Sequence, residues 1–110
     1  MGGVKFLLMN HTIACLIKKS PTEYYIGDSG GWDNNVHRAC LYAPHQAEQK
    51  LQELLSKNPD AVIVCVIQDK AFNYYDGKTF VYNLFQAKFY SVKEAEAVIK
   101  RLYCILPAGL

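Results

Sequence analysis

The sequence predicts an α+β fold made of two tandem ββ(β)α repeats. Related by a pseudo-twofold, they form one mostly antiparallel sheet with two helices on one face. Three observations carry this. The first is an internal duplication. A shift of fifty residues aligns Ile13, Cys15, Ile17, Tyr24, Tyr25 and Gly27 with Ile63, Cys65, Ile67, Tyr74, Tyr75 and Gly77. Omitting Asp28 and Ser29 resets the shift to forty-eight and aligns Asn35, Ala39, Tyr42, Ala47, Glu48 and Leu54 with Asn83, Ala87, Tyr90, Ala95, Glu96 and Leu102. The second is a pair of apolar, β-branched runs, 12–17 and 61–67, with the pattern of strands covered on both faces. The third is a helical stripe closing each copy: Ala47, Leu51, Leu54 and Leu55, then Ala95, Val98, Ile99 and Leu102.

The elements follow in order. Val4 to Met9 can add a strand or lead into the first one, which spans Thr12 to Ile17. Lys18-Lys19-Ser20-Pro21 is a turn, and Glu23 to Ile26 is a short strand ended by the glycine-rich Gly27-Asp28-Ser29-Gly30-Gly31. That loop reads as a β-turn needing positive φ, because a phosphate-cradling loop would lead into a helix and carry a lysine. Trp32 opens a third segment, Val36 to Ala39 suits a helical turn, and Cys40 to Tyr42 extends again. Pro44 starts a helix at a position where a missing N–H costs nothing, and Asn58-Pro59 stops it. In the second copy Ala61 to Ile67 is a strand, Asp69-Lys70 turns, Phe72 to Tyr75 returns, and Asp76-Gly77 makes a hairpin with Thr79 to Tyr82. Ser91 and Glu94 form a capping box for the last helix, and Cys104 to Leu110 is an apolar tail.

A chain of 110 residues, 51% apolar and with a formal charge of +2, folds as one domain over residues 1–110. The repeats occupy 12–58 and 61–104, and the connection between them is too short for independent domains. The small charge neither requires nor forbids a nucleic-acid partner. The cysteines Cys15, Cys40, Cys65 and Cys104 share no CxxC spacing, and three lie in apolar runs, which suits free thiols in a reducing cytosol. The apolar run from Val4 to Ile17 is broken by Asn10-His11-Thr12 and has no cleavage pattern, so neither a signal peptide nor a membrane span is expected. A cytoplasmic location follows.

No catalytic constellation emerges. His11, His37 and His45 have no zinc-ligand spacing with the cysteines, and His37 and His45 align with Phe85 and Lys93. Nothing orients Cys40 toward His37 or His45 as a nucleophile pair. The expectation is a non-enzymatic protein without metal or cofactor. The aromatic surplus is more informative. Alternation sends one ring of Tyr24-Tyr25 and of Tyr74-Tyr75 to each face of the sheet. Trp32, Tyr42, Phe72, Phe80, Tyr82, Phe85, Phe89 and Tyr90 add rings beyond what two half-cores need, and of these Trp32, Phe72 and Tyr82 join the paired tyrosines as candidate binding residues. Half-wet core tyrosines explain some of them; the alternative is an aromatic platform on the open sheet face. Such a platform binds a protein through Tyr and Trp anchors, or stacks bases with phosphate contacts from Lys18, Lys19, Lys70, Lys78 and Lys88.

The pattern of a short hairpin, a Gly-Trp or Thr-Phe segment, A-x-x-Y, and a capped helix with Ala-Glu resembles small phage and prophage accessory proteins. Here it is carried by Gly31-Trp32, Ala39 to Tyr42 and Ala47-Glu48, and again by Thr79-Phe80, Ala87 to Tyr90 and Ala95-Glu96. The resemblance implies an inhibitor of a bacterial defence system, such as an anti-CRISPR protein bound to an effector nuclease, acting in the host cytoplasm. No site residue transfers from it, because that group shares no motif. A nucleic-acid or nucleotide-ligand module is the alternative. A homodimer is also expected, its interface drawn from the second repeat and the apolar tail, where few charges guard the sheet edge.

Overall fold

The computed structural model describes residues 11–102 in full and the backbone of 103–108. The expected leading strand from Val4 to Met9 and the end of the apolar tail lie outside this range. Six strands form one antiparallel sheet in the order β3-β2-β1-β4-β5-β6. They are β1 (His11–Ser20), β2 (Glu23–Gly27), β3 (Gly31–Asp33), β4 (Val62–Asp69), β5 (Tyr74–Tyr75) and β6 (Phe80–Val81). Helices α1 (Pro44–Leu55) and α2 (Val92–Ala108) follow β3 and β6, each after a 3₁₀ turn, η1 (Val36–Arg38) and η2 (Leu84–Gln86).

The centre is the long β1–β4 pair, in register from His11 opposite Asp69 to Lys18 opposite Val62. β1 therefore outruns the expected 12–17 at both ends, because pairing with β4 at its start and with β2 at its end supplies partners that local apolarity does not reveal. Cys15 stands opposite Cys65. Each turns its backbone outward: Cys15 exchanges two hydrogen bonds with Tyr42 at 2.7 Å, and Cys65 exchanges two with Tyr90 at 2.7 and 2.8 Å. The cysteines thus form a non-hydrogen-bonded cross-strand pair, the closer of the two kinds. Both are free and fully buried. A thiol–thiol hydrogen bond to Cys15, together with burial, holds the Cys65 thiol far above its ordinary pKa.

Alternation sorts the core. Cys15, Cys65 and Ile67 pack with Ala47 of α1 and Ala95 and Val98 of α2, with Ile13 and Ile63 against them, so both helices cover one face. Ala14, Leu16 and Val66 face the other way and meet Val36 of η1 and Leu84 of η2. Leu16, Ile17, Val66 and Ile67 are fully buried, each contributing roughly 1.5–3 kcal/mol of transfer free energy. The face expected to be open is therefore covered at its centre by the two 3₁₀ turns. Asn35 Oδ1 caps η1 by accepting from His37 N–H at 3.0 Å, and Asn83 Oδ1 caps η2 by accepting from Phe85 N–H at 2.9 Å.

The capping box is present: Ser91 N–H donates to Glu94 Oε1 at 2.8 Å, and Glu94 N–H donates to Ser91 Oγ at 3.1 Å. Two expectations are corrected. The return strand is only Tyr74–Tyr75, because Phe72 belongs to the preceding turn; Tyr82 likewise lies beyond β6. The stretch from Cys104 is no separate tail, since α2 continues through Ala108. Among the described residues no helix is long and apolar enough to cross a membrane.

In the first half, the buried Tyr25 donates its hydroxyl to Asp28 Oδ1, and Lys50 Nζ reaches Asp28 Oδ1 at 3.4 Å and Glu53 Oε1 at 2.9 Å. Burial, reinforced by Asp28, pushes the Tyr25 phenol up to about 12. Burial and the neighbouring Cys40 push Tyr42 up to about 12 as well. A raised phenol favours the folded state fully below its unfolded pKa of about 10 and loses that advantage as pH climbs toward 12. Urea denaturation should show a fall between pH 9 and 11, on the order of 1 kcal/mol per tyrosine. Tyr25→Phe should remove part of that fall.

Candidate functional site

The site begins at the end of β4. The Asp69 Oδ1 atom accepts from Ala71 N–H and Asn73 N–H, both at 2.9 Å, while Phe72 N–H donates to the Asp69 carbonyl at 3.1 Å. One carboxylate thus organises a five-residue turn, and its geometry forces Phe72 to φ 62°. Among the described residues Phe72 is the only non-glycine at positive φ. A left-handed conformation costs a bulky L-residue roughly 1–2 kcal/mol. Phe72 recovers little of this by burial, since the residue is 70% exposed.

Two further rings stand close by in the topology. Tyr74 pairs with Val81, so Tyr82 leaves the β5–β6 hairpin at the end where Phe72 enters it. Asn83 then caps η2, which carries Phe85. Tyr82 is 89% and Phe85 75% exposed, and with Phe72 they are the most exposed large hydrophobics described. Phe85 meets His37 of η1 edge-on, with centroids 6.2 Å apart. The positions fifty or forty-eight residues earlier hold Thr22, Asn34 and His37, all polar. The apolar surface thus belongs to the second half.

The other residues expected in a binding platform are dispersed. Tyr24 and Tyr74 are half-buried against the core beneath η1 and η2. Tyr25 is buried on the helix side, where Trp32 meets it edge-on at 5.4 Å and receives Lys19 Nζ 4.9 Å above its own ring. Tyr75 is half-buried against Phe80 at 5.2 Å and donates its hydroxyl to the Gly77 carbonyl at 3.0 Å. Lys70 and Lys78 are exposed on the turns before β5 and before β6. Lys88 is exposed beside Tyr90, its Nζ 5.7 Å from the ring centroid. A single aromatic and lysine platform on an open sheet face is not formed, because η1 and η2 occupy that face. Phe72 and Tyr82 remain from the expected set; Phe85 joins them, and its signal was an aromatic residue aligned with a polar one. No group of three His, Cys, Asp or Glu among the described residues is arranged to hold a metal ion.

No family model matches the chain, and comparisons with curated proteins and with solved structures find no match.

Phe72→Gly relieves the left-handed strain at the cost of roughly 0.5–1 kcal/mol of backbone entropy. Urea denaturation should show it to be more stable than the parent, by about 0.5–1 kcal/mol. Phe72→Ala, which keeps a Cβ, should gain nothing.

Proposed function

We propose that this chain is a non-enzymatic binding protein that engages a protein partner through Phe72, Tyr82 and Phe85. The observation that supports this most is Phe72. An aromatic ring held exposed on a strained backbone opposes stability, so its use lies outside the fold. Exposed aromatic rings near one end of a hairpin suit hot-spot anchoring, in which a few large side chains dominate affinity. The polar counterparts Thr22, Asn34 and His37 leave the first half without such anchors.

The partner class we propose is a bacterial defence protein such as a CRISPR effector nuclease, with the chain encoded by a phage or mobile element and acting in the host cytoplasm. The resemblance of the sequence pattern to small phage and prophage accessory proteins is what supports that class. The internal duplication with a pseudo-twofold belongs to the same reading. It is supported by the matched bridges of Cys15 with Tyr42 and Cys65 with Tyr90 and by the matched asparagine caps. A second copy of the chain is the competing occupant of the aromatic end, in keeping with the expected homodimer.

Capture from a bacterial lysate with the full chain as bait, followed by mass spectrometry, should recover a specific protein. Phe72→Ser with Tyr82→Ser should cut recovery at least tenfold, equivalent to about 1.4 kcal/mol, while Thr22→Ala with Asn34→Ala leaves it unchanged. Light scattering at tens of micromolar separates the outcomes. A dimer dispersed by Phe72→Ser and Tyr82→Ser assigns the surface to self-association. A monomer that recovers no specific partner overturns the binding reading.

A further inference from the structure

The two halves differ sharply where each helix meets its hairpin. The backbone frame there is the same. Cys40 N–H donates to the Tyr25 carbonyl and Lys88 N–H to the Tyr75 carbonyl, both at 3.0 Å, and Gly27 and Gly77 both take positive φ, 114° and 105°. In the first half the space is filled from within: Lys50 reaches across from α1, and the carboxylates of Asp28 and Glu53 meet its ammonium, with Tyr25 donating to Asp28. In the second half the tyrosine is kept as Tyr75 but the charged groups are changed. Asp28 has no counterpart, Val98 stands for Lys50, Arg101 for Glu53, and Lys88 for Cys40. Shortening a lysine to a valine opens a cleft of about 280 Å³, lined by Tyr75, Gly77, Lys88, Tyr90, Val98 and Arg101.

Against the first half, two carboxylates and one cation are absent and two cations are present, and neither Lys88 nor Arg101 makes an ion pair with a described residue. The nearby acids are committed elsewhere. Glu94, which borders the adjoining depression with Lys88 and Arg101, accepts from Ser91 N–H in the capping box. Asp76 Oδ1 accepts from the N–H groups of Lys78 and Thr79 at 2.8 and 2.9 Å. The Lys88 stem lies over Gly77, where a Cβ would come within 3.4 Å of its Cδ. With its ammonium held over the Tyr90 ring, the lysine is set in place beforehand.

We propose that the cleft between Gly77, Lys88, Tyr90 and Arg101 binds the carboxylate of an external ligand, in the role that Asp28 and Glu53 fill internally in the first half. The guanidinium of Arg101 supplies a forked donor that matches two carboxylate oxygens, and Lys88 supplies a point charge. The volume falls below the roughly 300–1,000 Å³ of drug-sized sites, so the ligand is a small organic acid or one acidic side chain, not a nucleotide.

The test is a titration of the ¹⁵N-labelled full chain, at constant ionic strength, with benzoate, with N-acetyl-aspartate amide and with inorganic phosphate. Saturable amide shifts centred on Tyr75, Gly77, Lys88 and Tyr90 are expected with at least one carboxylate, half-saturating on the order of 1–10 mM. Benzoate alone identifies a free acid as the ligand, and the blocked aspartate alone identifies an acidic side chain. Arg101→Glu, at an exposed position, should weaken the response at least tenfold and Lys88→Gln severalfold, whereas Lys50→Gln should leave it intact. The spectrum of each variant reports its fold. Three results overturn the proposal: no saturable shift with either carboxylate, saturation by phosphate only, or shifts that persist in Arg101→Glu.

Discussion

Everything else in this molecule hangs on the pairing of β1 with β4. Eight consecutive residue pairs place Cys15 against Cys65 at the middle of the sheet, with no exposure at either position. A strand pair buried on both faces leaves no backbone group access to water, so every N–H and C=O there needs a partner within the protein. The outward-facing groups of Cys15 and Cys65 find theirs in Tyr42 and Tyr90. That requirement brings each chain segment back to the sheet after its hairpin and sets where each helix begins. Pro44 and Val92 each start a helix two residues after those tyrosines, and Ala47 and Ala95 are small enough to lie flush on the central strands.

The same constraint explains the 3₁₀ turns. Ala14, Leu16 and Val66 point away from the helices and must also be covered. Two short turns carrying Val36 and Leu84 do this, each fixed by an asparagine that occupies one orphan N–H. Because η1 and η2 lie side by side across the sheet, His37 and Phe85 come into contact although forty-eight residues separate them. The outcome is a three-layer arrangement, helices, sheet and turns, in which the centre of the sheet is covered on both faces.

The halves differ most at the periphery. Several core positions carry the same residue in both halves: Ile13 and Ile63, Cys15 and Cys65, Ile17 and Ile67, Ala47 and Ala95. Others, Leu16 and Val66 or Val36 and Leu84, exchange one apolar residue for another, whereas at the rim the character of the side chain changes. Thr22, Asn34 and His37 stand against Phe72, Tyr82 and Phe85, and Cys40 and Glu53 stand against Lys88 and Arg101. Core positions share one packing constraint, so a change there leaves a cavity or a clash. A surface position is free to take on apolar area or reverse its charge at little cost to the fold.

The sequence by itself determined the α+β class, the helix starts at Pro44 and at the Ser91–Glu94 box, and the alternation of strand side chains between two faces. Those features rest on local chemistry and on period, both visible in one dimension. It also placed Phe72 and Tyr82 among the candidate binding residues, because surplus rings can be counted. Only the tertiary structure decided which rings stay outside. Tyr24 and Tyr74 sit in the same short strands as Tyr25 and Tyr75, yet their environment is set by η1 and η2, which reach them from distant sequence. The left-handed Phe72 was equally hidden, since the turn depends on the Asp69 carboxylate meeting two backbone N–H groups at once. The cleft beside Arg101 emerged last. Its residues come from β5, the hairpin, the segment before α2 and α2 itself, and no local pattern records that a valine there leaves room which a lysine would fill.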